Sequence, residues 1–154
     1  MLRRLAVILG LGGLACQSHP SALAPNPLSM DAVVAAFLHA VKANDLDRLG
    51  TLWGTERGPA ASWMPADELK KRLTVIQKYL NHDGYRVVDG PLAVGGHDNE
   101  RSFRVELERQ SCNVVVPLDL IQAKTGQWLV VDAHLESVSN PEQACKPAGR
   151  GTGP

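Results

Sequence analysis

Three titratable residues near the C-terminal end of the sequence could share one patch of a β-sheet. Asp132 and His134 are two residues apart in an alternating, strand-like segment, so both side chains should point to the same side. Asp119 lies in the preceding apolar segment, and a turn near Thr125 would place it almost opposite residue 131, within diagonal reach of Asp132. A carboxylate and an imidazole in an apolar pocket can carry out general acid–base catalysis.

The alternation along this strand also favours a second interpretation. The more uniformly apolar set is Leu129, Val131, Ala133 and Leu135, and the mixed set is Trp128, Val130, Asp132 and His134. The uniform set should face the core. Asp132 and His134 would then be largely exposed and chemically ordinary, which favours a non-enzymatic protein. Catalysis by Asp132, His134 or Asp119 remains the alternative.

Residue types that form metal or cofactor sites show no recognised arrangement. The histidines are His19, His39, His82, His97 and His134, without the spacing of metal ligands. His82 and His97 are each followed by aspartate in a turn-like context, which accounts for them without a ligand role. No Cys-x-x-Cys pair, P-loop, dinucleotide fingerprint or nucleophile elbow is present. We expect neither a metal nor a cofactor.

A four-stranded antiparallel meander is predicted to carry the candidate residues. The predicted strands are residues 85–94, interrupted by Gly90-Pro91, then 101–109, Cys112–Gln122 and Trp128–Glu136. The third is apolar on both faces, as in a strand covered on both sides. The turn before the fourth ends at Gly126. The Gly-Pro pair indicates a bulge or an edge position for the first strand.

Three helices are predicted upstream from apolar residues at helical spacing. The first is capped by Ser29 and has an apolar face of Val33, Val34, Phe37, Leu38 and Val41. The second is short and has Leu46, Leu49 and Leu52. The third spans 66–82 and has an apolar face of Leu69, Leu73, Ile76, Tyr79 and Leu80. Residues 55–65 are rich in small residues and turn formers and are predicted as a loop. The expected fold is α+β, with the helices packed on a curved sheet.

The N-terminus has the features of a secretory signal. Arg3 and Arg4 precede an apolar run too short to span a bilayer. The run ends in Gly-Leu-Ala-Cys at Cys16, which resembles the lipobox of bacterial lipoproteins, where lipid is attached to the cysteine. The alternative is an ordinary secretory signal with a chance cysteine. We predict a signal peptide over 1–15, a proline-rich flexible tether over 16–27 and one domain over 28–139.

Charge and cysteine content narrow the possible partners further. Without Arg3 and Arg4 the chain has 14 Lys and Arg against 16 Asp and Glu, which argues against a nucleic-acid partner.

Two cysteines of the predicted mature chain, Cys112 and Cys145, could form a disulfide in an oxidising compartment. The hairpin register allows this bond, and two free thiols are the alternative. The tail 140–154 is predicted to be disordered after Cys145.

Two segments carry a resemblance to a known family. AFLHAVKANDLDRLGTLW at 36–53 resembles the opening helix pair, and GQWLVVDAHLESV at 126–138 the last strand, of the superfamily of nuclear transport factor 2, ketosteroid isomerase and the polyketide cyclases. The resemblance implies a cone, in which a bent sheet wraps around helices and leaves an apolar pocket. The early catalytic Asp or Tyr positions of the family's enzymes have no clear match in GTERGPAASWMP at 54–65.

The function expected from the sequence is a lipid-anchored, extracytoplasmic module of the bacterial cell envelope. It would be held at the membrane through Cys16 and bind a small apolar ligand or a protein partner without catalysis. An isomerase- or cyclase-like enzyme is the alternative. A homodimer through the open face of the sheet is a further possibility.

Overall fold

The computed structural model describes residues 28–110 and 112–138. The predicted signal peptide, Cys16, the tether, Cys145 and the C-terminal tail lie outside this part of the chain. Helix α1 spans Met30–Ala43, α2 spans Leu46–Leu52 and α3 spans Ala66–Leu80. The three predicted helices are confirmed, although α3 ends before His82. None of these helices is long and apolar enough to cross a bilayer.

Side-chain caps determine where the first two helices begin. The Ser29 hydroxyl accepts a hydrogen bond from the Ala32 N–H at 3.3 Å, and the Asp45 carboxylate accepts one from the Arg48 N–H at 2.9 Å. Between the two helices, Asn44 adopts the left-handed conformation, with φ at 53°. This conformation stops α1 and turns the chain directly into α2.

The segment predicted as a loop between α2 and α3 contains regular structure. Strand β1, Gly54–Thr55, pairs with β2, Gly58–Pro59, and a 3-10 turn follows at Ala60–Ser62. Gly54 allows the close approach, since a Cβ atom there would lie 2.4 Å from the Gly58 carbonyl oxygen. The segment predicted as a loop is therefore partly regular, with a short hairpin and one 3-10 turn.

The predicted meander is confirmed. Strands β3 (Gly84–Val94), β4 (His97–Arg109), β5 (Cys112–Gln122) and β6 (Trp128–Ala133) pair in the order β3-β4-β5-β6, all antiparallel. The last strand is shorter than predicted, because a 3-10 turn at Leu135–Ser137 replaces its end. The sheet does not close into a barrel, and the α+β architecture is consistent with the predicted cone.

A bulge in β6 changes which residues face the helices. Asp119 pairs with Asp132, but Leu120 pairs with Val130, so Val131 is the extra residue. Val130 is fully buried in the main core, whereas Leu129 and Val131 belong to a second cluster with Ile121 and Ala123. The prediction that the uniform apolar set faces the core is confirmed for Leu129 and Ala133, which are buried, and Leu135 packs against the main core. Leu129 and the half-buried Val131 pack in the second cluster rather than on the helices, because strict alternation holds only as far as the bulge.

The main core lies between the helices and one face of the sheet. Its side chains include Phe37, Leu38, Leu73, Ile76, Phe103, Val105, Leu107, Val116, Leu118 and Leu120. The other face of β5 is more open: Val115 is 37% exposed, and Pro117 and Asp119 are half-buried. The prediction that β5 is covered on both faces was therefore wrong, since the helices cover one face only.

The edge strand β3 has the irregular form that Gly90-Pro91 predicted. The register shifts between Val87 and Asp89 and again between Asp89 and Leu92. Gly90 has a φ of 125°, and a Cβ atom there would lie 2.8 Å from the Phe103 ring. Only glycine allows this backbone to approach the buried ring so closely.

Candidate functional site

The structure brings two of the predicted candidate residues into direct contact. His134 follows the end of β6, and its backbone N–H donates to the Pro117 carbonyl at 3.1 Å. This places the His134 Nε2 atom 2.8 Å from Asp119 Oδ2, while Nδ1 lies 2.9 Å from Glu136 Oε1. Glu136 was not predicted. The sequence signal that could have found it is its position two residues after His134. In the structure the strand has already given way to a 3-10 turn at this point.

Both contacts favour the charged form of the imidazole. The hydrogen bond to Asp119 is the main cause that raises the pKa of His134, the bond to Glu136 adds to it, and burial opposes them. The imidazolium in turn helps to lower the pKa of Glu136, after a hydrogen bond from the backbone of Glu136 itself. The prediction that His134 is exposed and chemically ordinary was therefore wrong.

The charged form of His134, which both contacts favour, does not suit a general base. A charged imidazole that donates both N–H groups has no lone pair with which to take a proton from a substrate. In that form Asp119 and Glu136 accept the two bonds, and the cation bridges the two carboxylates. It ties the chain after β6 to β5.

Asp132 is exposed, as predicted. It lies directly opposite Asp119 rather than diagonally, because the bulge at Val131 shifts the register by one residue. Its charge contributes to the raised pKa of His134 through space. Asp132 thus belongs to the electrostatic surroundings of the cluster and also borders a groove.

The groove lies between α3 and β6 and has a volume of about 320 Å³. Its apolar lining consists of Trp53, Val75, Ile76, Val131, Ala133 and Leu135, and its two charged residues are Arg72 and Asp132. Arg72 is held by Glu68, one turn earlier on α3, at 2.6 Å. The groove is therefore an apolar surface with one charge of each sign.

Trp53 and the bulge at Val131 shape one side of this groove. Trp53 pairs with Val130 through a parallel bridge, and its indole N–H donates to the Val131 carbonyl at 3.3 Å. Because that donor is already used, Trp53 offers its apolar surface to the groove. Val75 on α3 is 49% exposed and adds an apolar side chain to the groove.

The described residues contain no group of three or more His, Cys, Asp or Glu side chains arranged to hold a metal ion. Cys112 is half-buried at the start of β5. Its predicted partner, Cys145, lies outside the described residues, so the disulfide stays a prediction.

The open face of the sheet carries a polar network beside the exposed Val115. Glu106 accepts a hydrogen bond from the Asn113 side chain at 3.0 Å and pairs with Arg86. These two contacts, that of Asn113 first, lower the pKa of Glu106. A homodimer through this face stays a prediction.

No family model matches the chain, and a search of curated proteins finds no significant match. The resemblance to the nuclear transport factor 2 superfamily therefore rests on the sequence segments quoted for it.

Proposed function

We propose that the protein is a lipid-anchored, extracytoplasmic module that binds a small, mainly apolar molecule in the groove between α3 and β6. The single observation that carries this proposal is the groove itself. Its volume of about 320 Å³ lies at the lower end of the range of small-molecule sites. The anchor part of the proposal rests on the signal sequence that ends at Cys16.

The lining of the groove supports an apolar ligand. Ile76 and Ala133 are buried at its base, while Trp53, Val131 and Leu135 are half-buried. A ligand that covers these side chains removes apolar surface from water, at about 25 cal/mol per Å². The half-exposed Val75 would be covered at the same time.

The charged residues support a ligand with one polar end. Arg72 is fixed by Glu68 and lies on α3, whereas Asp132 lies on β6. A polar group at the rim can be bound by either charge, and the apolar part would lie along the groove. This division of apolar surface and few polar groups is typical of small-molecule sites.

A binding role is favoured over catalysis because of the state of His134. Both of its nitrogens contact carboxylates, which favours the charged imidazole, and in that form the ring has no lone pair with which to accept a proton. Asp132 borders the groove, but it has no imidazole partner there.

The groove is tested with N-phenyl-1-naphthylamine, an uncharged apolar dye whose fluorescence rises when it leaves water. The protein for the titration is the Cys16→Ser variant, which we expect in the soluble fraction because it lacks the anchor. Val75→Glu introduces a charge at an exposed groove position and should weaken dye binding by about tenfold, since the carboxylate must be desolvated or displaced.

Thr74→Glu is the matched control, because it places the same charge on the exposed side of α3, one residue outside the groove lining. It should leave dye binding unchanged. Equal dye binding by wild type, Val75→Glu and Thr74→Glu would contradict the proposal, as would the absence of dye binding.

A further inference from the structure

The chain after β6 forms one wall of the α3–β6 groove. Ala133, the last residue of β6, and Leu135, the first residue of the following 3-10 turn, both line the groove, and His134 lies between them. The turn contacts both α3 and β5, and Leu135 packs against the main core. The shape of the groove therefore depends on how firmly this turn is held.

The side chain of His134 holds this turn on the sheet. Its Nε2 atom lies 2.8 Å from Asp119 Oδ2 on β5, and its Nδ1 atom lies 2.9 Å from Oε1 of Glu136, within the turn itself. The backbone N–H of His134 also donates to the Pro117 carbonyl on β5 at 3.1 Å. One imidazole thus links β5 to the turn that carries Leu135.

The protonation state of His134 decides how many of these side-chain bonds can form. The imidazolium has two N–H donors, one for each carboxylate, whereas the neutral ring has only one. After deprotonation, one nitrogen presents a lone pair to a carboxylate oxygen that lies 2.8 or 2.9 Å away. That contact becomes repulsive, and water replaces it. The turn then loses one of the bonds that hold it beside the groove.

The charged groups around the imidazole are mainly carboxylates. The bond to Asp119 on β5 is the main cause that raises the pKa of His134, followed by the bond to Glu136 in the turn, with Asp132 on β6 acting through space and burial opposing them. On α3, which also contacts the turn, Arg72 lines the groove and is neutralised by an ion pair within the helix. The imidazole therefore loses its proton above about pH 6.5.

We propose that protonation of His134 regulates ligand binding in the α3–β6 groove. The charged ring holds the turn on the sheet and favours binding, and loss of the proton weakens binding. This inference rests on the binding function proposed for the groove. A ligand does not need to contact His134, because Ala133 and Leu135 on either side transmit the change.

The size of the effect follows from the exposure of the cluster. Partly exposed ion pairs contribute little, so the Kd of a groove ligand should change by about threefold. The two equilibria are linked, and a ligand in the groove should therefore favour the charged ring by the same factor.

The dye N-phenyl-1-naphthylamine tests this linkage, because it is uncharged across the relevant pH range. The Cys16→Ser protein should bind the dye about threefold more tightly at about pH 5.5 than at about pH 8.5. His134→Gln retains a polar side chain that does not titrate, so its Kd should be the same at both pH values. His39→Gln is the matched control, since it removes an exposed imidazole that does not line the groove. It should keep the pH dependence of the parent protein.

A measurement on the parent protein covers the case in which His134→Gln does not fold. In a ¹⁵N–¹H NMR titration, the His134 ring should lose its proton at a pH about 0.5 higher with saturating dye than without it, which corresponds to the threefold factor. Dye binding that is equal or tighter at the higher pH, a pH dependence that His134→Gln retains, or an unchanged titration of His134 in the dye complex would each overturn the inference alone. Absence of dye binding at both pH values would overturn the proposed function as well.

Discussion

His134 and His82 lie in opposite chemical environments of the same small domain. His134 follows the end of β6 and donates to two carboxylates, so its pKa is raised. His82 follows α3, is buried against Tyr85, and has a lowered pKa. Its Nε2 atom has no hydrogen-bond partner among residues 28–110 and 112–138. The comparison teaches that contact with carboxylates favours the charged form of one histidine, whereas burial favours the neutral form of the other.

The difference between the two regions has a structural origin. The bulge at Val131 and the early end of β6 bring His134 over Asp119, on the side of the sheet that the helices leave open. By contrast, α3 ends two residues before His82, and the ring folds back onto the Leu80 carbonyl under the cover of α1 and β3.

The largest expected effect tests the bulge that separates the two regions. Val130→Asp should unfold the domain, at a cost of more than about 4 kcal/mol, because it forces an unpaired carboxylate into the main core. Val131→Asp should cost on the order of 1 kcal/mol, since Val131 is half-buried and borders the groove. Denaturant melts of both variants measure this difference. A larger cost for Val131→Asp than for Val130→Asp would mean that the strand alternates without a bulge.

A smaller effect concerns how stability depends on pH. The folded-state pKa of His134 is raised, so its contribution to the free energy of unfolding is present below about pH 6.5 and is lost as the pH rises through the folded pKa. The folded-state pKa of His82 is lowered, so its contribution to the free energy of unfolding is lost as the pH falls below about 6.5. His134 should thus limit stability above about pH 6.5, and His82 should limit it below this pH.

Variants separate these two contributions in thermal melts across pH. Asp119→Asn should reduce the loss of stability above pH 6.5 and cost about 0.5 kcal/mol at lower pH, as partly exposed ion pairs do. His82→Phe should instead reduce the loss of stability below about pH 6.5. Asp132→Ala, at the exposed partner of Asp119, is the control and should change stability by less than about 0.5 kcal/mol. Identical pH profiles for all variants would refute the opposite roles.

Apolar residues that recur about every 2 residues in strands and about every 3.6 residues in helices were enough to predict the meander and the helices. Side chains such as Phe37 and Phe103 repeat at these spacings because one face of each element is buried. Even the irregular β3 was foreseen, since Gly90 and Pro91 are poor residues for a regular strand. These features depend on local sequence alone.

The geometry of the candidate site depended on tertiary features that the spacing of apolar residues does not reveal. The extra residue at Val131 looks like an ordinary position in an alternating strand, and it reverses the side of every residue before it. Glu136 reaches His134 only because the strand ends early, and His82 is buried only because three elements meet over it. Asp119 was predicted within reach of Asp132, whereas it contacts His134, whose pKa is raised mainly by this contact and further by Glu136.

The most direct measurement is a ¹⁵N–¹H NMR titration of the histidine rings in the wild-type protein. We predict that His134 keeps both nitrogens protonated to a higher pH than a free histidine. His82 should remain neutral at lower pH than a free histidine, with its proton on Nδ1. A His134 that loses its proton at a lower pH than a free histidine would contradict the account and restore an acid–base role, and a His82 that stays charged to a higher pH would contradict the effect of its burial.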